Sequence, residues 1–530
     1  MGKTIIRGGR LLPMAEAAET SADILVDDGK IVAIAPNISA DAEAIDASDG
    51  IVLPGLVDTH RHVWQTQLRT VATDWSLFDY FVEMRSGYST FYTAEDAYLG
   101  NLVGALEALD AGVTTLVDHC HIINSPDHAE AAARGLEESG IRAIFCYGTF
   151  ANAPRGAMDV PSDPAWRRKT ARDLRDGRFS DGGLVRFGFA PFEAEAMPRE
   201  ALASEIGFAR ELGAAAISLH VAMGPYSFGR SRVVERLHEA GLLGPDLLFV
   251  HGAGFTDREL ALFRDSGAAI SSTPETELQM AMGFPVAYRA QSHGVRVGLG
   301  VDIVSNYAGD MFLPMRLGLQ VARAQANDAV GAKGQAPATI APKAQSALRM
   351  ATLGGAEALR MDSHIGSLEV GKRADIIVID TTAIHMTPSF DPVGAVVLNA
   401  RPSDVRTVLV DGRIVKRDGA LVAQVGDEPA GEVVAHQPIL RIDQQRARHP
   451  LLGPFGFPKH GQRIGAVGHR MAVAAILGDD LFDTGEGGLR GPAGALAVAK
   501  RSVATHQHRR RGEAGFRECG GRLEIPNGVL

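Results

Sequence analysis

Apolar and polar residues alternate in two segments, one at each flank of the chain. A period of two indicates half-buried β-strands. Each segment has an Asp-Gly pair between apolar runs, Asp28-Gly29 in the first and Asp411-Gly412 in the second, and this is a strong hairpin signal. We therefore expect one small β-sandwich domain that is built from both flanks, residues 1–57 and 360–425.

The middle of the chain, residues 58–359, shows a different pattern. Apolar runs of strand length recur there, and helical patterns such as TAEDAYLGNLVGALEALDAG separate most of them. The eight runs are IVLPGLVDTH, TTLVDHC, RAIFCYG, LVRFGFAP, AAISLHV, DLLFVHG, AAISSTP and RVGLGVD. Continuous apolar strands that alternate with helices predict a parallel sheet buried on both faces. Eight such units predict the α/β fold class and, within it, a closed (β/α)8 TIM barrel.

The character of the chain changes again at residues 426–530. This C-terminal extension is rich in Gly, Arg and His, includes HQHRRRGEAG, and shows little periodicity. Such a composition favours disorder. A packed extension or an arm that contacts another subunit are the alternatives.

Charge and cysteine content narrow the class of protein. The formal net charge of −10 argues against a nucleic-acid binder, which would carry a basic face. Three cysteines, Cys120, Cys146 and Cys519, are too few for a disulfide framework and fit a reducing cytoplasm. The start MGKTIIRGGRLLPM lacks the apolar region of a secretory signal, and no run of about 18 apolar residues could span a membrane. We expect a cytoplasmic enzyme.

Polar residues stand at the ends of several predicted barrel strands. His60 and His62 lie at positions i and i+2 of one strand, so both side chains point the same way. His220, His251 and Asp302 each end a later apolar run. A barrel enzyme places its chemistry at the carboxyl ends of its strands, and imidazole and carboxylate groups are common zinc ligands. The pattern predicts a metal site there.

These motifs also resemble a known family. From about residue 3 to about residue 425 the chain is similar to the amidohydrolase superfamily, in the branch with cytosine deaminase, S-adenosylhomocysteine deaminase and the triazine hydrolases. The motifs that carry the resemblance are PGLVDTHRH, TVATDWSLFDYF, ALEALDAGVTTLVD, LLFVHGAGFTDRELALFRDSGAAIS, GVRVGLGVDIVSNYAGDMF and GSLEVGKRADIIVID. The flanking sandwich looks like the family's composite domain.

The resemblance implies roles for the predicted site residues. His60, His62, His220 and Asp302 would bind one divalent metal per chain, with zinc as the default and iron or manganese as alternatives. The expected reaction is hydrolysis of a C–N bond in a small, cyclic or aromatic molecule by a metal-bound hydroxide. This hydroxide would form at neutral pH because the metal lowers the pKa of its bound water to about 7. Asp302 would accept the proton of the water, and His251 would steady the oxyanion.

One departure from the family pattern leaves the substrate open. Aromatic deaminases of this family carry H-x-x-E on strand 5, and the Glu protonates the ring; this chain has Met223 in that place. Glu193 is the candidate replacement acid, and a solvated loop residue is the alternative. Without such an acid, amide, urea or carbamate substrates are the alternative to a ring deamination.

The remaining predicted contacts are of lower specificity. His119 and His121 share one face of a strand and are expected to contact the substrate or to pack in the core, with a second metal as a minor alternative. Trp64 and Phe192 would suit a flat apolar substrate, although aromatic clusters often serve packing alone. We expect a small-molecule substrate and a homo-oligomer. A catalytically inactive scaffold is the alternative of another class.

Overall fold

The computed structural model describes most of the chain that precedes the extension. The described residues are 2–15, 20–150, 152, 165–227, 232–422, 424–425 and 428–429. Apart from residues 428–429, the extension predicted for residues 426–530 lies outside the described residues, and so does Cys519.

The described strands and helices follow the order that the sequence pattern predicts. The strands are β1 Thr4–Leu11, β2 Thr20–Asp27, β3 Lys30–Ala35, β4 Glu43–Asp46, β5 Gly50–Pro54, β6 Leu56–Arg61, β7 Val113–Cys120, β8 Arg142–Gly148, β9 Val185–Ala190, β10 Ile217–Val221, β11 Leu247–His251, β12 Ala269–Ser272, β13 Arg296–Leu299, β14 Ile376–Asp380, β15 Val405–Val410, β16 Arg413–Arg417, β17 Ala420–Leu421, β18 Gln424–Val425 and β19 Glu428–Pro429. The α-helices are α1 Leu77–Asp79, α2 Ala94–Asp110, α3 Pro126–Ser139, α4 Ala165–Gly177, α5 Arg199–Glu211, α6 Val233–Glu239, α7 Asp257–Ser266, α8 Pro274–Gln279, α9 Ala287–Ser292, α10 Phe312–Gly331, α11 Ala344–Met350, α12 Leu353–Ala358 and α13 Pro392–Gly394.

Strands β6 to β13 form a closed parallel barrel, which confirms the predicted fold class. The barrel closes where β13 pairs with β6, with Leu299 opposite Asp58. Helices start where capping residues permit: at α2, Thr93 accepts from the amide of Asp96, whose carboxylate in turn accepts from Thr93. No helix within the described ranges is both long and apolar enough to cross a membrane.

The first apolar run, IVLPGLVDTH, is not a single barrel strand. It divides into β5, which belongs to the accessory sheet, and β6, which belongs to the barrel. Only Gly55 separates the two strands. A Cβ at Gly55 would stand 2.1 Å from Thr114 Oγ1, so the chain passes too close to β7 at this point for any larger residue.

The flanking strands form one accessory sheet, as predicted. Strands β1 to β5 and β14 to β17 make a nine-stranded mixed sheet, in which β5 from the first flank pairs antiparallel with β14 from the second. The predicted sandwich is thus one continuous hydrogen-bonded sheet. Both Asp-Gly pairs form its hairpins, with positive φ at Asp28, Gly29, Asp411 and Gly412.

An ion pair fastens this sheet to the amino-terminal end of the barrel. Arg142, the first residue of β8, donates to both carboxylate oxygens of Asp375 at 2.8 and 3.0 Å. Asp375 immediately precedes β14, and both side chains are buried. Asp411 accepts a further hydrogen bond from Arg142 at 3.1 Å. The carboxyl-terminal end of the barrel lies opposite this ion pair and carries His60, His62 and His220.

Candidate active site

Three imidazoles converge at the carboxyl-terminal end of the barrel. His60 lies in β6, His62 is the first residue after that strand, and His220 lies in β10. One ring nitrogen of each lies within 4.8 Å of the others, and all three side chains are buried. The Nε2 atoms of His60 and His220 are 3.4 Å apart. The structure therefore brings together the three histidines that the sequence marks as ligands.

Asp302 completes this cluster. Its Oδ1 lies 3.2 Å from His60 Nε2 and 3.4 Å from His62 Nε2. The backbone is fixed on both sides, because the Asp302 amide donates to the His60 carbonyl at 2.9 Å and the Asp302 carbonyl accepts from the His62 amide at 2.7 Å. Four ligand-type side chains thus present their atoms to one region.

Hydrogen bonds to the second ring nitrogen orient two of the histidines. His62 Nδ1 lies 2.8 Å from the backbone carbonyl of His119, so it donates and leaves Nε2 free to bind. His220 Nδ1 lies 3.3 Å from Glu193 Oε1. Glu193 is not a solvated loop residue, since its side chain is only 13% exposed. This contact aims His220 Nε2 at the cluster.

Burial favours the neutral form of the His60 and His62 imidazoles. It holds the pKa of His60 and of His62 well below the usual value, and the neighbouring imidazoles lower both further. A neutral imidazole has a lone pair on one nitrogen and can bind a metal ion.

His251, the last residue of β11, faces the same cluster. Its ring is stacked against that of His220 at a centroid distance of 5.5 Å. His251 Nδ1 lies 2.9 Å from Thr273 Oγ1, and Glu277 Oε1 is 4.0 Å away. Burial lowers the pKa of His251 to about 3, so the ring is uncharged at neutral pH. Its Nε2 remains for a reacting group.

Of the four residues predicted to contact the substrate, His121 lines the pocket over the cluster, and His119, Trp64 and Phe192 do not. The ring of His121 is stacked on His62 at a centroid distance of 3.9 Å. His119 lies beneath, stacked on His220 at 4.1 Å. Trp64 lies behind His121 and donates to its Nδ1 at 3.1 Å, while Phe192 packs against Phe150.

The pocket wall combines polar and ionisable side chains with apolar ones. Its lining residues are His62, Leu77, Tyr80, Phe81, Arg85, His121, Glu193, His220, Met223, His251, Thr276, Met280, Met282, Asp302 and Ile303. Met223 is buried and lines the wall where the sequence pattern lacks an acid.

Sequence analysis missed a polar residue of this wall, Arg85. Tyr80 and Arg85 begin and end a π-helix, in which hydrogen bonds join residues five apart, as from the Ser86 amide to the Phe81 carbonyl. Isolated π-turns occur frequently at functional sites. The detectable signal was an arginine next to the aromatic segment WSLFDYF.

Comparisons with known proteins agree with this geometry. The model of the amidohydrolase family matches residues 51–415. A 5-methylthioadenosine/S-adenosylhomocysteine deaminase of Symbiobacterium thermophilum is 32% identical over 437 residues, which cover 79% of this chain and 94% of that protein.

Two solved structures are similar in fold. One is an adenosine deaminase from Xanthomonas campestris with bound zinc, at a TM-score of 0.72 and 26% identity, covering 84% of this chain and 98% of that one. The other is a triazine hydrolase from Arthrobacter aurescens, at a TM-score of 0.71 and 22% identity, covering 82% and 98%. The barrel, the accessory sheet and the histidine cluster thus occur in a chain that belongs to the amidohydrolase family of hydrolases.

Proposed function

We propose that this enzyme hydrolyses a C–N bond of a small cyclic or aromatic molecule at a single divalent metal ion. The ligands would be His60, His62, His220 and Asp302. The observation that carries the proposal is the convergence of three imidazole nitrogens and one carboxylate oxygen beneath one pocket. Family members are metal-dependent, and one structural neighbour contains zinc.

The donor atoms fit a zinc-sized ion. Zinc binds imidazole nitrogen and carboxylate oxygen at about 2.0–2.2 Å, so tetrahedrally placed ligands stand roughly 3.3–3.5 Å from each other. The Nε2 atoms of His60 and His220 are 3.4 Å apart. Asp302 Oδ1 lies 3.2 Å from His60 Nε2 and 3.4 Å from His62 Nε2. Two neutral imidazoles whose lone pairs face each other would repel without a cation between them.

A bound metal ion of this kind lowers the pKa of water to about 7 and so supplies a nucleophile at neutral pH. In our proposal Asp302 accepts the proton of the attacking water and delivers it to the leaving nitrogen. His251 would donate from Nε2 to the developing oxyanion in the tautomer whose Nδ1 accepts a hydrogen bond from the Thr273 hydroxyl. The Met-rich wall keeps bulk water away from these groups.

Two substrate classes remain in competition within this proposal. The curated relatives include deaminases of 5-methylthioadenosine and of 5'-deoxyadenosine, which favours an aminated ring. Met223 in the pocket wall favours an amide, urea or carbamate, because a thioether cannot protonate a ring nitrogen. Glu193 could take the missing role, since its Oε2 is buried without a hydrogen-bond partner among the described residues.

Ammonia or amine release tests both classes. Zinc-loaded full-length protein is assayed on adenosine-type nucleosides and on aryl amides, ureas and carbamates. If a ring is the substrate, Glu193→Gln lowers kcat more than about 100-fold with metal retained, and Met223→Glu preserves or raises activity. If an amide or carbamate is the substrate, Met223→Glu lowers activity. Turnover by metal-free protein would contradict the proposal as a whole.

We also propose a compartment and an assembly for this enzyme. The thiols of Cys120 and Cys146 are free and buried, which fits a reducing compartment, so we place the enzyme in the cytoplasm. A homo-oligomer remains our expectation, and light scattering on the eluting full-length protein measures its mass.

A further inference from the structure

Arg85 occupies an unusual position in the pocket wall. It is only 2% exposed, ends the π-helix and lines the pocket together with Tyr80 and Phe81. The other charged groups of the lining, apart from histidines, are the carboxyl groups of Glu193 and Asp302. Arg85 therefore supplies the lining's one permanent cation among the described residues.

The guanidinium of Arg85 has a neutral neighbour, the Tyr80 hydroxyl, but lacks the carboxylate partner that a buried cation normally has. Its Nε and Nη2 atoms are buried without a hydrogen-bond partner among the described residues. No described carboxylate lies within 4.0 Å of it. Glu193 acts on Arg85 only from a greater distance, since its Oε1 faces His220. A buried charge without a partner is unfavourable, so this arrangement calls for a ligand.

The orientation of the guanidinium is nevertheless fixed. Its central carbon lies 3.7 Å above the centre of the Phe150 ring, and this cation–π contact holds the plane without using the N–H donors. Burial lowers the pKa of Arg85 to about 10, which still leaves it protonated at neutral pH. The pocket thus contains a charged, oriented and unsatisfied donor fork.

We propose that Arg85 binds a carboxylate of the substrate, so that the enzyme acts on an anionic C–N compound. This inference rests on the proposed function, because it assigns the substrate class of the same pocket. A guanidinium fork matches a planar carboxylate through two parallel hydrogen bonds. One guanidinium balances one negative charge, and two carboxyl groups already line the pocket, which favours a monoanion over a phosphate dianion.

Benzoate and benzamide form a matched pair of probes, since they differ in charge but share a flat apolar ring. Calorimetric titration of zinc-loaded full-length protein is expected to detect benzoate binding. Arg85→Gln should weaken benzoate binding by at least about 10-fold, and Arg85→Lys by less, because lysine keeps the charge but loses the fork. Benzamide binding should change little in either variant.

Lys416→Gln is the matched control. Lys416 is also a buried cation, but it lies in β16 of the accessory sheet and donates to the carbonyl of Asp110 at 2.7 Å. Its loss should leave benzoate binding unchanged. The melting temperature gives a second measurement: without ligand, Arg85→Gln should melt at or above the wild-type temperature, since it removes an unsatisfied charge. A residue with a purely structural role would lower it.

Three outcomes would overturn the inference. Benzoate affinity that is equal in wild type and Arg85→Gln would place the carboxylate on the metal instead. Absence of benzoate binding to the zinc-loaded wild type, or a melting temperature of Arg85→Gln well below the wild type with unchanged affinity, would also contradict it. Metal content separates the two proposals: wild-type protein that binds no zinc contradicts the proposed function, whereas failure of the Arg85 effect at one zinc per chain contradicts only this inference.

Discussion

His251 and Asp302 both have a left-handed backbone, with φ of +76° and +74°. Residues other than glycine rarely adopt this backbone conformation, and each instance costs of order 1–3 kcal/mol. His251 is the last residue of β11 and Asp302 follows the end of β13, and both side chains face the histidine cluster. At these two positions the backbone strain falls where the chain turns to point a functional side chain inwards.

His60 and His251 make a matched pair for mutation, because both are buried and their ring centres are 6.0 Å apart. We expect His60→Ala to bring bound zinc well below one equivalent per chain and to abolish turnover. His251→Asn, which tolerates the left-handed backbone, should keep the zinc and lower kcat by about 10²–10⁴-fold. Metal analysis and steady-state kinetics on the same samples distinguish the two. Full zinc occupancy in His60→Ala would refute the ligand assignment.

Gly300 offers a test of how closely the cluster is packed. A Cβ there would lie 2.8 Å from the His60 carbonyl oxygen and 3.0 Å from His60 Cβ. Gly300→Ala should therefore displace His60 and weaken zinc binding roughly 10–100-fold, as loss of a supporting contact does. Competition with a chelator measures the affinity.

Gly207→Ala is the control for that substitution. Gly207 lies inside α5 with no neighbouring atom within 4 Å of an added Cβ. Alanine should stabilise the helix by about 0.5–1 kcal/mol and leave zinc affinity unchanged. Equal zinc affinities for the two variants would mean that the site tolerates movement of His60.

For individual residues, the sequence predicts a site position better when several residues share the same place in a repeated pattern than when a residue stands alone. The positions of His60, His220 and Asp302 follow from the ends of apolar runs, because parallel strands bring their carboxyl ends together. Arg85 has no such partner in the sequence. Its position depends on a π-turn, and the stability of that turn depends on tertiary contacts that no local pattern encodes.

Among the elements, the junction between barrel and sheet rests on the buried pair Arg142–Asp375. Arg142→Met would leave the Asp375 carboxylate buried without its partner, which costs about 3–5 kcal/mol. Urea unfolding of the zinc-loaded protein should show this loss, while kcat of the folded fraction stays unchanged, since Arg142 lies at the opposite barrel end.

The exposed pair Lys169–Asp173 in α4 serves as its comparison. Their side chains are 75% and 57% exposed, so Lys169→Met should change the free energy of unfolding by less than about 1 kcal/mol. An Arg142→Met variant no less stable than Lys169→Met would show that the sheet is held by its apolar contacts alone.

Element boundaries were harder to predict than element types. The sequence pattern joins β5 and β6 into one apolar run, since both are fully buried and apolar residues continue from β5 into the start of β6. Only the close approach of Gly55 to Thr114 reveals where the chain leaves the sheet for the barrel. Hydropathy reports burial, and burial is the same on both sides of that boundary.

At the scale of the whole molecule, the last strand of the accessory sheet, β17, ends at Leu421. We therefore expect deletion of residues 430–530 to leave a folded protein that binds one zinc per chain, in keeping with the predicted domain boundary near residue 425. Circular dichroism and metal analysis of the truncated chain check this. Insoluble or zinc-free protein would indicate that the extension packs on the rest.

The pairing of β5 with β14 has a consequence for biosynthesis. Ile51, Val52 and Leu53 of β5 reach their partners in β14 only after the whole barrel sequence has left the ribosome. At about 5–20 residues per second, the intervening stretch of roughly 320 residues takes about 15–65 s to translate. During that interval one edge of β5 is open to other nascent chains. The yield of active enzyme in a cell should therefore depend on translation speed and on chaperones that shield this edge.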